Sequence, residues 1–429
     1  MPVDERLGRA RLDAVHRDGL ALVLSSGLTS AVGLLYWVLA ARLFAPVVVG
    51  VNSVALSTMM LLGGLAHLNL TQALLRFVPV AGPRTRRLVL TCYGVAATLA
   101  ALVGLGYAVG APRWAPEMVD AVGRGPLLLF FAVATPLWAV FTMQDYLLTG
   151  LKRAAVVPVE NLAFALLKIA LLGVAGWYAV VGGIAASWVV STALVVLAVN
   201  VWLLLRVVPE KASRGGATAV PVRFAPVARF VRSDYAGATL WQLAVNGLPA
   251  LVLARLGAAE AAVYGIVWTI TMALYLVPSG IGQSMVAHTA DDPVRADAAR
   301  RAMVRRSLVL VAPAAAVLAA GAYPVLWLFG EHYAERGSWA LALAALSAIP
   351  QVITASVVAQ ARVQQRVRVL VVVPGATAAA VLTCAWLLMP ALGITGVTLS
   401  WLLVQAITAT FLVLRPFDHG KRPDSVRRA

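Results

Sequence analysis

The sequence predicts an all-α polytopic membrane protein of about twelve transmembrane helices, divided six plus six. Three observations predict it. Hydrophobic residues make up 61% of the 429-residue chain and charged residues only 12%, about half the charged share of a soluble domain; mean hydropathy is +0.86. Apolar runs of about 20 residues, long enough to span a bilayer, recur along the whole length. The basic residues fall almost entirely on one side of those runs. A membrane β-barrel is excluded because its strands would alternate apolar and polar side chains, whereas these runs are continuous.

Residues 1–17, MPVDERLGRARLDAVHR, are charged and lack the apolar core of a cleavable leader, so they read as a cytoplasmic segment. Spans follow at 18–44, 47–77, 86–111, 125–149, 153–178 and 180–207, broken by charges, Pro and Gly. The fourth and fifth are joined by the tight turn TGLKRA. The first lobe is thus 18–207. Residues 208–232 form a cytoplasmic linker: EKASRGGATA has linker composition, and VRFAPVARFVRSDY alternates Arg with Phe and Val as a membrane-surface segment would. The second lobe, 233–415, holds spans at 233–256, 258–288, 302–329, 337–362, 367–390 and 393–415, and 416–429 is a basic tail.

Net charge is +17, which in a soluble chain would suggest nucleic acid. Placement gives another account. Of 35 Lys and Arg, four precede the first span, four follow the second, two the fourth, six lie in the central loop, five follow the eighth span, three the tenth and five the twelfth, 29 in all. Only Arg42, Arg113, Arg124, Arg255 and Arg336 fall on the other side, and Lys168 alone lies within a span. The positive-inside rule then places both termini in the cytoplasm, and no nucleic-acid partner is needed. Cys92 and Cys384 sit inside spans and read as small apolar residues, not a disulfide or metal pair.

The two halves share a trace of repetition. VLAARLFA (38–45) resembles LVLARLGA (251–258), and at the same offset Thr58-Met59 matches Thr271-Met272. Duplicated halves are a common transporter design.

No loop is long enough for a soluble catalytic domain, the five His are scattered, and no metal-ligand or phosphate-cradling motif occurs in the sequence. A non-enzymatic role, moving a molecule across the bilayer, is what remains. The order and spacing of several segments resemble the multidrug/oligosaccharidyl-lipid/polysaccharide (MOP) flippase superfamily, in its actinobacterial polysaccharide-exporter, O-antigen-flippase-like branch. SGLTSAVGLLYWVLAARLFAPVVVG (26–50) and GLAHLNLTQALLRFVP (64–79) are similar to its first two helices, and DYLLTGLKRAAVVPVENLAFALLK (145–168) to its helix 4–5 hairpin. SDYAGATLWQLAVNGLPALVLARLGA (233–258), LFGEHYAERG (328–337) and MPALGITGVTLSWLLVQA (389–406) resemble the start of its second half, its helix 9–10 loop and its last helix. The resemblance implies two six-helix lobes around a central cavity. It also implies a substrate class, a polyprenyl-pyrophosphate-linked oligosaccharide flipped from the inner to the outer leaflet of the cytoplasmic membrane. No cofactor is implied beyond a coupling ion, H+ or Na+; the partners are the lipid-linked glycan, membrane lipids and polysaccharide-assembly proteins. Two competing functions are a multidrug cation antiporter of the same superfamily and a membrane-embedded glycan polymerase or ligase. The first would want a net acidic site and the second a large outer loop.

The polar residues inside the spans are the candidate translocation path. A charge at mid-bilayer costs about 2.5–3.5 kcal/mol on insertion scales, so Glu160 and Lys168 need partners or water. Lys168 is expected to attract the pyrophosphate, with Glu160 as its counter-ion or a proton carrier. The hairpin should bring Asp145 to the depth of Glu160 and Asn161; a helix-end network of Asp145, Glu160, Lys152 and Arg153 is the plainer reading. Asn69, Gln72 and Arg76 follow i, i+3, i+7 spacing on one helix face. Arg42 and Arg255 end the first and seventh spans, as snorkelling anchors or as a gate pair. Asp234, Gln242 and Asn246 recur along the seventh, where Pro249 should kink the helix. Tyr36, Trp37, Trp114, Trp177, Tyr178, Trp327 and Tyr333 read as an interfacial aromatic belt.

Overall fold

The computed structural model describes residues 32–214, 224–289, 296–364 and 366–414. Among the described residues every regular element is a helix: α1 (Val32–Leu43), α2 (Pro46–Ala66), α3 (Leu70–Phe77), α4 (Thr85–Trp114), α5 (Pro116–Val122), α6 (Arg124–Gly150), α7 (Val156–Trp177), α8 (Gly183–Trp202), α9 (Val208–Arg214), α10 (Phe224–Leu256), α11 (Ala258–Thr289), α12 (Ala296–Ala320), α13 (Ala322–Trp327), α14 (Glu331–Val363) and α15 (Val367–Leu414). Nine described helices are long and apolar enough to cross a bilayer. Residue Gly393 of α15, at φ 56°, breaks that 48-residue element into two spans; glycine reaches this conformation without the Cβ clash that other residues meet. With α1, α10 and both halves of α15 counted, the twelve predicted spans are present. The chain is an all-α polytopic membrane protein.

Several elements depart from the sequence reading. The second span is not one helix. It breaks after α2, where Leu68 and Asn69 take φ of 47° and 57°, and it resumes as α3. Asn tolerates the left-handed region better than most residues, and the Asn69 N–H is satisfied by His67 Nδ1 at 3.2 Å. The ninth span likewise divides into α12 and α13. Residues 110–124 contain the end of α4 and the short α5. Helix covers parts of the expected linker, in α9 and the start of α10.

The described chain separates into two compact units, one holding residues up to Ile270 together with Pro324–Arg336, the other Thr271–Tyr323 and Gly337 onward. In the first unit, α2 is the central helix, packed against α4, α6, α8 and α10. Lipid is as apolar as Leu, so helices in a membrane associate through close packing and polar bonds more than by escaping water. The sequence supplies both. Ala96, Ala100, Gly104 and Ala108 place small residues every fourth position on the buried face of α4, which lies on α6. A Cβ on Gly104 would stand 2.5 Å from the Phe131 carbonyl oxygen, so the two backbones approach as only glycine permits. Asn52 of α2 supplies the polar bonds: its Nδ2 donates to the Val48 and Val181 carbonyls, both at 2.8 Å, and its Oδ1 accepts from the Ala185 N–H at 3.0 Å.

The second unit is held by hydroxyl and amide pairs. Tyr275 and Ser347 share a hydrogen bond at 2.9 Å, and Thr354 donates to Gln405 Oε1 at 3.1 Å. Cys92 of the first unit and Cys384 of the second are free thiols.

Candidate functional site

Most of helix α7 is half-buried or exposed, and its buried residues are Glu160, Phe164, Ala165, Lys168 and Leu172. Four of these recur every four residues, which places them on one helix face. Among the described residues, the charged side chains that are buried are Glu160 and Lys168, 4% and 5% exposed. The buried charges of the described residues therefore lie on one stripe of one helix in the first unit.

Lys168 is held by rings. Its Nζ lies 4.0 Å from the centroid of Trp188 on α8, 4.7 Å from Tyr36 on α1 and 4.9 Å from Phe164 one turn back on α7. An ammonium over an aromatic face is attracted by the ring quadrupole, by about 0.5–2 kcal/mol for each contact. The rings brace one another. Trp188 meets Tyr36 and Phe164 edge-on at 5.5 and 5.6 Å, and Trp138 and Phe141 of α6 extend the cluster. Tyr36 is fixed at its far end, donating to the Ile184 carbonyl at 2.8 Å and sharing a hydrogen bond with Ser187 at 3.0 Å. It is fully buried, so it does not belong to an aromatic belt. Nor does Tyr333, at 2% exposure, whereas Trp177 and Tyr178 are widely exposed.

Glu160 is not the counter-ion of Lys168. Its Oε2 accepts from Gln144 Nε2 of α6 at 2.9 Å, and among the described residues no carboxylate forms an ion pair with Lys168. Two full turns of α7 separate the two groups, and each has found nearer polar or aromatic neighbours. Asp145 and Glu160 stand on the two sides of the α6–α7 turn, and Asp145 Oδ1 and Glu160 Oε1 are both buried without a hydrogen-bond partner among the described residues. The basic turn stays out of that cluster: Arg153 instead faces Glu210 of α9 at 3.6 Å, both half exposed, and Lys152 takes φ 60° to close the turn.

The remaining candidates lie elsewhere. Asn69 sits in the break between α2 and α3, so the stripe expected of Asn69, Gln72 and Arg76 loses its first member; Arg76 is exposed, 5.9 Å from the Phe77 ring. Arg42 is exposed and donates from Nε to the Leu328 carbonyl at 2.9 Å and from Nη2 to the Trp327 carbonyl at 2.7 Å. It caps the end of α13, a use of terminal carbonyls suited to a cation. Arg42 and Arg255 are each the penultimate residue of their helices, α1 and α10. Gln242 and Asn246 bond to each other at 2.8 Å along α10, which continues as helix through Pro249. The side chain of Asp234 lies outside the described residues.

Sequence reasoning missed Gln144, Asn200, Asn52 and Trp188. The first three are lone amides in apolar runs, and the signal was available: an amide within a span needs a partner. Trp188 carried no such signal, because only the packing of α7 on α8 turns it toward Lys168.

No family model matches the sequence, and no curated protein does. Solved structures are similar. One is an inward-facing multidrug resistance MATE family transporter of the MOP superfamily, 14% identical over 90% of this chain and 93% of that one, with a TM-score of 0.69. Another is the Lipid II flippase MurJ in an inward closed conformation, 11% identical over 93% and 88%, at 0.70. A third is a MOP superfamily transporter from Pyrococcus furiosus, described by the reverse polarity of its binding pocket, 14% identical over 91% of each chain, at 0.54. Likeness at these identities carries the architecture and leaves substrate open. The chain has the fold of the MOP superfamily transporters.

Proposed function

We propose that this protein flips a polyprenyl-pyrophosphate-linked oligosaccharide from the inner to the outer leaflet of the cytoplasmic membrane by alternating access, with both termini in the cytoplasm. The observation that carries the reading is Lys168, a buried ammonium with rings about it and no carboxylate bound to it among the described residues. Burying a lone cation costs several kcal/mol, and three ring contacts return only part of that. A charge kept at such a cost is a functional group by default. Its field reaches past the rings: at about 8 Å and an effective dielectric near 20, a unit positive charge attracts a unit negative one by about 2 kcal/mol. A pyrophosphate headgroup is drawn to such a position and an organic cation is repelled from it. The basic residues on one face of the predicted spans support the orientation. The path residues are then Lys168 with the polar groups of α6 and α7, the arginines at helix ends acting as anchors.

A second reading has its own observation. Three rings around an ammonium are also the geometry that binds organic cations, and Asp145 and Glu160 are acids a cation antiporter would use. Proteoliposomes decide between the two. The chain is reconstituted with a fluorescent polyprenyl-pyrophosphate disaccharide, and leaflet exchange is followed by dithionite quenching, beside ethidium uptake under an imposed pH gradient. Protein-dependent movement of the lipid, lowered at least tenfold by Lys168→Gln, is expected. Ethidium transport with no lipid movement would overturn the glycan-lipid reading.

A further inference from the structure

Helix α12, in the second unit, carries its basic residues in a pattern that continues along the whole helix. Arg301, Arg305, Val309, Pro313 and Val317 follow one another every fourth residue and are all exposed, so they form one slowly winding stripe. Arg306, Leu310 and Ala314 form a second exposed stripe beside it. Met303, Ser307, Val311 and Ala315 are the buried face, and Met303 packs with Met285 of α11 and with Ala359 and Val363 of α14. Each exposed stripe thus opens with arginine and runs on as apolar surface. Among the nine described spans, α12 buries the smallest share of its apolar window, 22%. Val309 and Val317 are 67% and 73% exposed.

The arginine end is not neutralised among the described residues. Residues 296–306 hold four Arg against one acid, Asp297, whose side chain lies outside the described residues. Arg362 of α14, exposed, precedes Val363 of the cluster around Met303 and adds a further positive charge at this end. Among the described residues, Arg300, Arg301, Arg305, Arg306 and Arg362 form no ion pair, and Arg300 Nε is buried without a hydrogen-bond partner. Like charges four residues apart destabilise a helix, and cations near its N-terminus oppose the helix dipole. An anion from outside the chain relieves both. The planar guanidinium fork suits a phosphate in particular. From Arg305 to Val317 the stripe runs about 18 Å at 1.5 Å per residue, close to the roughly 15 Å hydrocarbon depth of one leaflet.

We propose that the exposed face of α12 is a binding site for an anionic phospholipid. Arg301, Arg305 and Arg306 hold its phosphodiester, and its acyl chains lie along Val309, Leu310 and Val317. Such a lipid fits both ends of the stripe, whereas a soluble phosphate fits only the first. Which leaflet supplies the lipid rests on the orientation proposed above; the binding itself does not.

Native mass spectrometry of the full chain, released from detergent with added dioleoylphosphatidylglycerol or dioleoylphosphatidylcholine, tests this. No glycan lipid is present, so the outcome is separate from the flipping assay. The wild type should retain phosphatidylglycerol at least about tenfold more tightly than phosphatidylcholine, and excess glycerol 3-phosphate should not displace it. The triple variant Arg301→Gln, Arg305→Gln, Arg306→Gln should lose the preference. A second triple variant, Arg84→Gln, Arg86→Gln, Arg87→Gln, removes the same charge from exposed positions at the start of α4 and should keep the preference within about twofold. Should the α12 triple variant fail to fold, Arg305→Gln alone carries the test, with a loss of about fivefold expected. Equal retention of the two lipids by the wild type would leave only annular lipid. An equal loss in the α4 variant would leave only net charge, and displacement by glycerol 3-phosphate would make this a soluble-anion site. Each of these three results overturns the proposal.

Discussion

Replacing Lys168 by Met should leave the fold as stable as before, or more so, while removing transport. The side chains are similar in length, so Met fills the space among Tyr36, Phe164 and Trp188 and keeps a favourable sulfur–aromatic contact. What is lost is the cation–ring attraction. Three contacts at 4.0–4.9 Å are together worth about 1.5–6 kcal/mol by the range for single contacts. What is gained is relief from burying an ammonium that has no carboxylate partner, again several kcal/mol. The two nearly cancel, so the expected change is between zero and about 2 kcal/mol of stabilisation. Helical circular dichroism during thermal unfolding in detergent measures it without relying on Trp188 fluorescence. The proteoliposome assay measures transport on the same preparation, where at least a tenfold loss is expected. If Lys168→Met lowers the unfolding midpoint by the equivalent of 2 kcal/mol or more, the ammonium is a strut of the fold, and the reasoning that reads it as a functional charge fails.

Two further substitutions test the packing. Gly104→Ala would press a methyl to 2.5 Å from the Phe131 carbonyl oxygen, and overpacking of this kind costs about 1–3 kcal/mol; Gly106→Ala, two residues along the same helix with open space about it, should be neutral in the same melt. Asn52→Ala removes three hydrogen bonds, one within α2 and two that tie α2 to the α7–α8 turn and to α8. A loss of about 2–4 kcal/mol is expected at roughly 1 kcal/mol for each bond plus the cost of groups left unpaired, read as a lower midpoint and reduced yield of folded protein.

The spans were legible because a bilayer imposes one length and one composition, and this chain obeys both from residue 47 onward. Their interruptions were less so. Asn69 looked like part of a helical stripe, and its left-handed turn depends on His67 accepting its N–H, a local bond that periodicity does not register. The charges of α7 announced themselves because the surrounding sequence is so apolar. What each charge would meet did not follow from spacing. Glu160 and Lys168 share a face, but the partners come from α6 for one and from α1 and α8 for the other. Partners drawn from helices distant in sequence are set by packing, and a single chain read from one end to the other does not contain it. Aromatic residues mislead in the same way: Tyr36 and Trp177 both lie near span ends, and only burial separates the pillar from the anchor.

The discontinuity at Leu68 and Asn69 has a mechanical corollary. An unbroken helix bends only by straining its ladder of backbone bonds, whereas two rods meeting at left-handed residues pivot by rotating a few torsions. The rod beyond this joint, α3, has eight residues and is about 12 Å long at 1.5 Å per residue. A swing of about 10° at the joint displaces its far tip by about 2 Å, carrying Gln72 and Arg76 with it, while the long central helix on the near side stays where its neighbours hold it.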